Sequence, residues 1–142
     1  MAIAPLARFP AKMDSMTEIR TLVEGACTTA GIGHEACLKI LLIAEELFTN
    51  TVLHGYRGES ESPVWMALVS GEAEITLHYE DAAPSHNPFG EFRPTDTAVL
   101  IAQQPVGGLG LKLIRSLAKD ASYSREGGHN VIRIIFSVRA GG

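Results

Sequence analysis

Residues 34–54 set the first constraint on the fold. Leu38, Ile40, Leu41, Leu42, Ile43, Leu47, Phe48, Val52 and Leu53 make this stretch apolar around most of a helix. A helix with so little polar surface has to be buried by something else in the chain. Gly55 follows as its stop, and Gly31 and Gly33 separate it from an earlier helix expected over about 16–30. Asp14 or Ser15 can cap that earlier helix, with Glu18 in its first turn.

The cover for both helices is legible on either side of them. Residues 2–9 alternate loosely and predict a short edge strand, with Pro5 and Pro10 suited to an edge. After a polar turn at 56–62, strands are expected at 63–69 and 73–79, joined by Ser70 and Gly71. The second alternates Ile75, Leu77 and Tyr79 against Glu74, Thr76 and His78, as a half-buried strand should. Helix returns at about 109–119, and strands near 121–126 and 130–138 flank the hairpin signal Glu126-Gly127-Gly128. Between them, residues 80–107 lack clear periodicity, carry Pro84, Pro88, Pro94 and Pro105, and offer only a short helix near 96–103. A connection this long is usually functional, commonly a lid, or else disordered. The order predicts one α/β (α+β) two-layer sandwich over 1–142, with helices on one face of a mixed, mostly antiparallel sheet.

Composition narrows the function. The chain has 142 residues, 46% of them hydrophobic, which suits one folded domain and excludes a disordered one. A net charge of −4 argues against a general nucleic-acid or anionic-membrane binder. The charge is unevenly spread: residues 1–106 hold fourteen acids and six bases, and residues 107–142 hold two acids and six bases. Chance differences between solvated faces would look the same. Cys27 and Cys37 form no zinc spacing and read as buried free thiols, and the five histidines never fall at HxH or HxxxH spacing. With neither a signal peptide nor a 20-residue apolar run in view, a soluble cytoplasmic protein is expected.

Three constellations could carry chemistry. Glu46, Asn50 and His54 stand four residues apart, on one stripe of the apolar helix. A carboxylate beside an amide oxygen can activate a hydroxyl and hold a hydrated Mg²⁺, although a plain solvent face would also be polar. Gly107, Gly108 and Gly110 lead into a helix start, where backbone can approach phosphate closely. No Gly-Lys-Ser/Thr follows and Leu113 takes the third glycine's place, so neither a P-loop nor a dinucleotide fingerprint is present, and a flexible loop would share these glycines. Asp81 falls directly after an alternating strand, beside a small-residue turn. It could accept a hydrogen bond from an exocyclic amine, or simply open an acidic loop.

In order and spacing these pieces resemble the N, G1 and G2 boxes of the histidine-kinase-like ATPases (the GHKL superfamily, Bergerat fold), and most closely the anti-sigma-factor serine-kinase branch. IAEELFTNTVLHGY at 43–56 is similar to that branch's N box, and residues 107–136 to its C-terminal third. The resemblance implies ATP and Mg²⁺ as cofactors, Glu46 as general base and Asn50 as the Mg²⁺ ligand. It further implies Asp81 on the adenine amine with Ala83 in the same box, Gly107, Gly108, Leu109 and Gly110 at the phosphates, and residues 85–106 as an ATP lid. His54 would support the helix end. Ala83 departs from the family's usual glycine, adding a methyl group where adenine should pack and resisting positive φ, and His86 replaces a usual aromatic residue.

The implied activity is phosphorylation of a serine on a STAS-type anti-anti-sigma antagonist, with a sigma factor or similar partner sequestered. Members of the branch are often homodimers, and a chain this short is expected to be regulated by a separate partner. The other readings are a partner-switching module that binds nucleotide weakly or not at all, which Ala83 would favour, and the detached ATP-binding half of a histidine kinase. No nucleic-acid or membrane partner is expected.

Overall fold

A computed structural model of the chain describes residues 6–85, 114 and 118–138. Strand β1 (Ala7–Pro10) leads through a 3-10 turn (Met13–Ser15) into helix α1 (Met16–Ala30) and helix α2 (His34–Asn50). A π turn (Thr51–Gly55) closes α2, and strands β2 (Pro63–Gly71), β3 (Glu74–Asp81), β4 (Ala118–Glu126) and β5 (His129–Ser137) follow. The strands form one sheet in the order β1-β2-β3-β5-β4, with all four described pairings antiparallel. The expected sandwich of helices against a mostly antiparallel sheet is therefore the observed architecture.

Alternation decides which side chains meet the helices. Val64 and Met66 of β2, Ile75, Leu77 and Tyr79 of β3, and Ile132, Ile134 and Phe136 of β5 join Ile19, Val23, Ile40, Ile43, Leu47 and Phe48 in one buried cluster. The opposite parity carries Trp65, His78, Glu80, His129 and Arg133, so the sheet's other face is polar and half-exposed. Burying each large apolar side chain of the cluster contributes about 1.5–3 kcal/mol. Cys27 and Cys37 lie in this core as free thiols, and burial followed by the neighbouring Cys37 pushes the Cys27 thiol up to about 12.

Several boundaries differ from the expectation, each for a local reason. Ser15 does occupy the position before α1, but its hydroxyl donates to the Pro10 carbonyl at 2.8 Å instead of capping the helix. Gly31 ends α1 in the left-handed region at φ 72°, as predicted. Helix α2 stops at Asn50 and not at 54, because the last residues before Gly55 widen into the π turn, closed by the Tyr56 N–H on the Thr51 carbonyl at 2.7 Å. Ser70 and Gly71 belong to β2, and the turn falls instead on Glu72 and Ala73, the latter at φ 60°. Ala118 and Lys119, expected in a helix, lie in β4, which starts three residues early behind an irregularity between Ala118 and Asp120. Ile114 is helical as expected, and Gly127 (φ 58°) and Gly128 (φ 81°) make the predicted two-residue hairpin.

Candidate active site

Asp81 is the last residue of β3 and has the inward parity of Ile75, Leu77 and Tyr79, which carries it to the sheet face beneath the end of α2. It is 5% exposed. A carboxylate so buried needs hydrogen-bond donors, because an unpaired one costs several kcal/mol. Three are present among the described residues: the Thr51 hydroxyl at 2.8 Å on Oδ2, and the Asn130 amide at 2.8 Å and the Ala83 N–H at 3.1 Å on Oδ1. A carboxylate has about four acceptor sites. Three donors therefore fix its orientation and leave capacity for one more, such as the exocyclic amine of an adenine.

The donors are themselves held. Thr51 opens the π turn, so its side chain drops onto the sheet instead of continuing the helix. The Tyr79 hydroxyl bonds the Thr51 hydroxyl and lies 3.0 Å from the Leu47 carbonyl. Burial first, then the neighbouring Asp81, holds the Tyr79 phenol well above its ordinary value despite the Thr51 hydrogen bond, so it remains a donor. Tyr79 and Thr51 thus form a chain of hydroxyls ending on Asp81. On the far side, Asn130 of β5 has the core parity of Ile132, Ile134 and Phe136 and reaches Asp81 from the neighbouring strand.

Above this network lies a small cleft of about 20 Å³, lined by Leu47, Asn50, Thr51, Gly55, Tyr79, Asp81, Ala83, Asn130 and Ile132. Gly55 and Ala83 close one side: a Cβ built on Gly55 would stand 3.0 Å from the Ala83 Cβ. Ala83 is 1% exposed and its φ lies outside the positive region, so its methyl group is accommodated without backbone strain. The expected conflict between alanine and a left-handed turn is therefore absent.

The α2 stripe divides. Asn50 lines the cleft, and its amide oxygen is a donor type that Mg²⁺ takes alongside substrate phosphates. Glu46 stands one turn before it, half-buried. The adjacent Glu45 is turned elsewhere and pairs with Arg20 of α1 at 3.3 Å. His54 is exposed and outside the cleft lining. Gly107, Gly108, Leu109 and Gly110, His86, and the lid positions beyond Ser85 lie outside the described residues.

A second polar cluster occupies the sheet's other face. His129 Nδ1 bonds Glu80, His78 Nε2 lies 3.3 Å from the same carboxylate, and the Trp65 ring stacks on His129 with centroids 4.9 Å apart. Burial pushes the Glu80 carboxyl up, but the hydrogen bonds from His129 and His78 outweigh it and hold the group below its ordinary value. Glu80 and Asp81 are consecutive, so β3 presents one carboxylate to each face.

Thr51, Tyr79, Asn130 and Gly55 were not singled out from the sequence. For Asn130 a signal was available, since a polar residue at core parity in a strand calls for a buried partner.

A family model for the histidine kinase-like ATPase domain matches residues 9–136. Among curated proteins, the serine-protein kinase RsbW of Listeria monocytogenes is 26% identical over 128 residues, which is 88% of this chain and 82% of that protein. The serine/threonine-protein kinase BtrW of Bordetella bronchiseptica is 30% identical over 91 residues, 64% of this chain and 63% of that protein. Among solved structures, the RsbU and RsbW domains of a Mycobacterium tuberculosis protein superpose with a TM-score of 0.59 at 17% identity, over 96% of this chain and 33% of theirs. The histidine kinase domain of an Erythrobacter litoralis blue-light activated kinase gives 0.56 at 14% identity, over 97% of this chain and 66% of that one. At these identities the structural likeness speaks to the fold.

Proposed function

The chain belongs to the histidine kinase-like ATPase domain family, and from that premise we propose that it is an ATP-dependent protein-serine kinase of the anti-sigma-factor type. The observation that carries the reading is the cleft itself. Asp81 is fixed by three donors with capacity left for an amine, Asn50 lines the same cleft, and Glu46, outside that lining, stands one turn earlier on α2. Bound ATP with Mg²⁺ supplies the transferable γ-phosphoryl group and most of the metal's ligands.

Asp81 would accept a hydrogen bond from the adenine amine, the Asn50 amide oxygen would help hold the ion, and Glu46 would accept the proton of the incoming serine hydroxyl. His54, exposed in the π turn that closes α2, would support the helix end. Gly107, Gly108, Leu109 and Gly110 offer backbone N–H groups to the phosphates. Such catalysis rests on positioning and charge neutralisation. The protein substrate is a serine of a STAS-type anti-anti-sigma protein, and a sigma factor or similar protein is the sequestered partner, bound by a cytoplasmic homodimer. The similarity to proteins named serine-protein kinases supports this substrate class.

Ala83 motivates the alternative, a module that only binds partners: its backbone is unstrained, but its methyl group lines the cleft where adenine would pack. Glu46→Gln is expected to keep ATP binding and lose phosphoryl transfer by roughly 10²–10⁴-fold, the usual weight of a general base. Wild-type transfer by that variant to the isolated STAS partner, read with radiolabelled ATP, would sink the mechanism. Absence of any calorimetric heat with millimolar ATP and Mg²⁺ would favour the partner-binding module instead.

A further inference from the structure

Strand β4 sends two side chains into the turn after Asp81, and neither is needed for the chemistry just proposed. The Tyr123 hydroxyl donates to Asn130 Oδ1 at 2.6 Å and, from its other side, lies 3.3 Å from the Ser85 hydroxyl. Arg125 Nη1 donates to the same Asn130 oxygen at 3.1 Å and to the Ala83 carbonyl at 2.8 Å. Asn130 Nδ2 faces three acceptors: Asp81 Oδ1 at 2.8 Å, the Ala83 carbonyl at 3.2 Å and the Pro84 carbonyl at 3.1 Å.

This arrangement settles which way the Asn130 amide points. A flipped amide would set its NH₂ against the Arg125 N–H, which can only donate, and its oxygen against three acceptors, while the Tyr123 hydroxyl could turn to accept. Arg125 on one side and the three acceptors on the other therefore direct the NH₂ toward Asp81 and the Ala83–Pro84 backbone, and Tyr123 adds a second bond to the oxygen. We propose that Tyr123 and Arg125 are positioning residues for the nucleotide site: by fixing the Asn130 amide they hold the Asp81 carboxylate in register with adenine and so set affinity and purine choice. The inference rests on the ATP-binding reading above and adds the strand that enforces its selectivity. Discrimination follows from geometry. A carboxylate oxygen held in place accepts the adenine amine and repels the carbonyl oxygen that guanine presents there, whereas a carboxylate free to swing does neither well.

The test is calorimetric, on the full chain with Mg²⁺, using ATP and GTP as probes. Arg125→Gln is expected to raise the Kd for ATP about tenfold, the usual weight of a hydrogen bond from a charged donor, and to narrow the ATP-to-GTP ratio. Arg125→Lys, which can reach one of the two acceptors, recovers part of both. In an Asn130→Ala background the same Arg125→Gln change should cost less than it does in the wild type, because the Asn130 oxygen is gone and only the Ala83 carbonyl remains as its target. Tyr123→Phe removes one hydroxyl only and keeps the test open if Asn130→Ala does not fold; it should weaken ATP several-fold with the circular-dichroism spectrum unchanged. Equal Arg125→Gln penalties in both backgrounds, or variants that lose thermal stability while keeping the ATP Kd and the ATP-to-GTP ratio, would overturn the proposal. If the wild-type chain itself binds no ATP, both this inference and the kinase reading fail. If it binds ATP and the variants bind equally well, only this inference fails.

Discussion

Placing one methyl group on Gly55 would test how the cleft beside Asp81 is walled. The new Cβ would stand 3.0 Å from the Ala83 Cβ and 3.7 Å from Thr51 Cγ2. Carbon atoms prefer 3.5–4.0 Å, so the Thr51 contact is ordinary and the Ala83 contact is several tenths of an ångström too close. Ala83 has little room to yield, since its N–H is bonded to Asp81 and its carbonyl to Arg125 and Asn130. Overpacking of this kind costs about 1–3 kcal/mol. The φ of Gly55 lies outside the left-handed region, so alanine there also gains about 0.4–1 kcal/mol by restricting the unfolded chain. The clash wins. Gly55→Ala should lose roughly 0.5–2 kcal/mol, about 2–8 °C in Tm for a domain of this size, and ATP affinity should fall with it. In an Ala83→Gly background the obstacle is gone and only the entropic gain remains, so the same change should stabilise by about 0.4–1 kcal/mol. Thermal melts of the four proteins of this cycle give the answer. A Gly55→Ala protein more stable than wild type, or an effect of the same sign and size in both backgrounds, would refute the packing argument.

Two predictions follow from titrating groups outside the cleft. The Cys27 thiol is pushed up to about 12 by burial and by Cys37, so its contribution to stability is complete below the unfolded thiol's value near 8.5 and is lost as pH rises from there toward 12. Denaturant titrations should show that alkaline loss flattened in Cys27→Ala, and a thiol reagent at pH 8 should label the native protein only after unfolding. Glu80 is held below its ordinary value by His129 and His78, so its stabilisation is present above an ordinary glutamate value of about 4.3 and fades as pH falls below it. His129→Gln should therefore narrow the stability difference between pH 6 and pH 3, and an unchanged acid limb would contradict the pairing.

The helices and the inward face of β3 were legible because each is written in a single local period. Leu38 to Leu53 declare a buried helix without reference to anything else in the chain, and Ile75, Leu77 and Tyr79 declare a strand. The π turn was not legible. It depends on Tyr79 and Thr51 meeting at the Leu47 carbonyl, a contact between residues 28 or more positions apart. The start of β4 was hidden for a similar reason: Ala118, Lys119 and Asp120 have no strand pattern and are recruited by pairing with β5. At the site, Asp81 and the Glu46–Asn50 pair were suggested by the family resemblance of local motifs, each on one element; Asp81 and Asn50 line the cleft and Glu46 does not. Thr51, Asn130, Tyr123 and Arg125 could not be found that way, because their roles exist only once β3, β4 and β5 lie side by side.

That dispersal has a consequence for how the chain comes to function. Asp81 is secured from Thr51, 30 positions earlier, and from Asn130, 49 positions later. Both loops must close before the carboxylate is held, and contacts of such separation form late because their closure entropy comes first. No fragment ending before β5 can assemble the slot, and a nascent chain becomes able to bind only when its last strand has docked. ATP would then be a ligand of the finished fold alone, stabilising it by RT ln(1 + [ATP]/Kd). Protection from protease by ATP would thus appear abruptly with chain length, once β5 is complete.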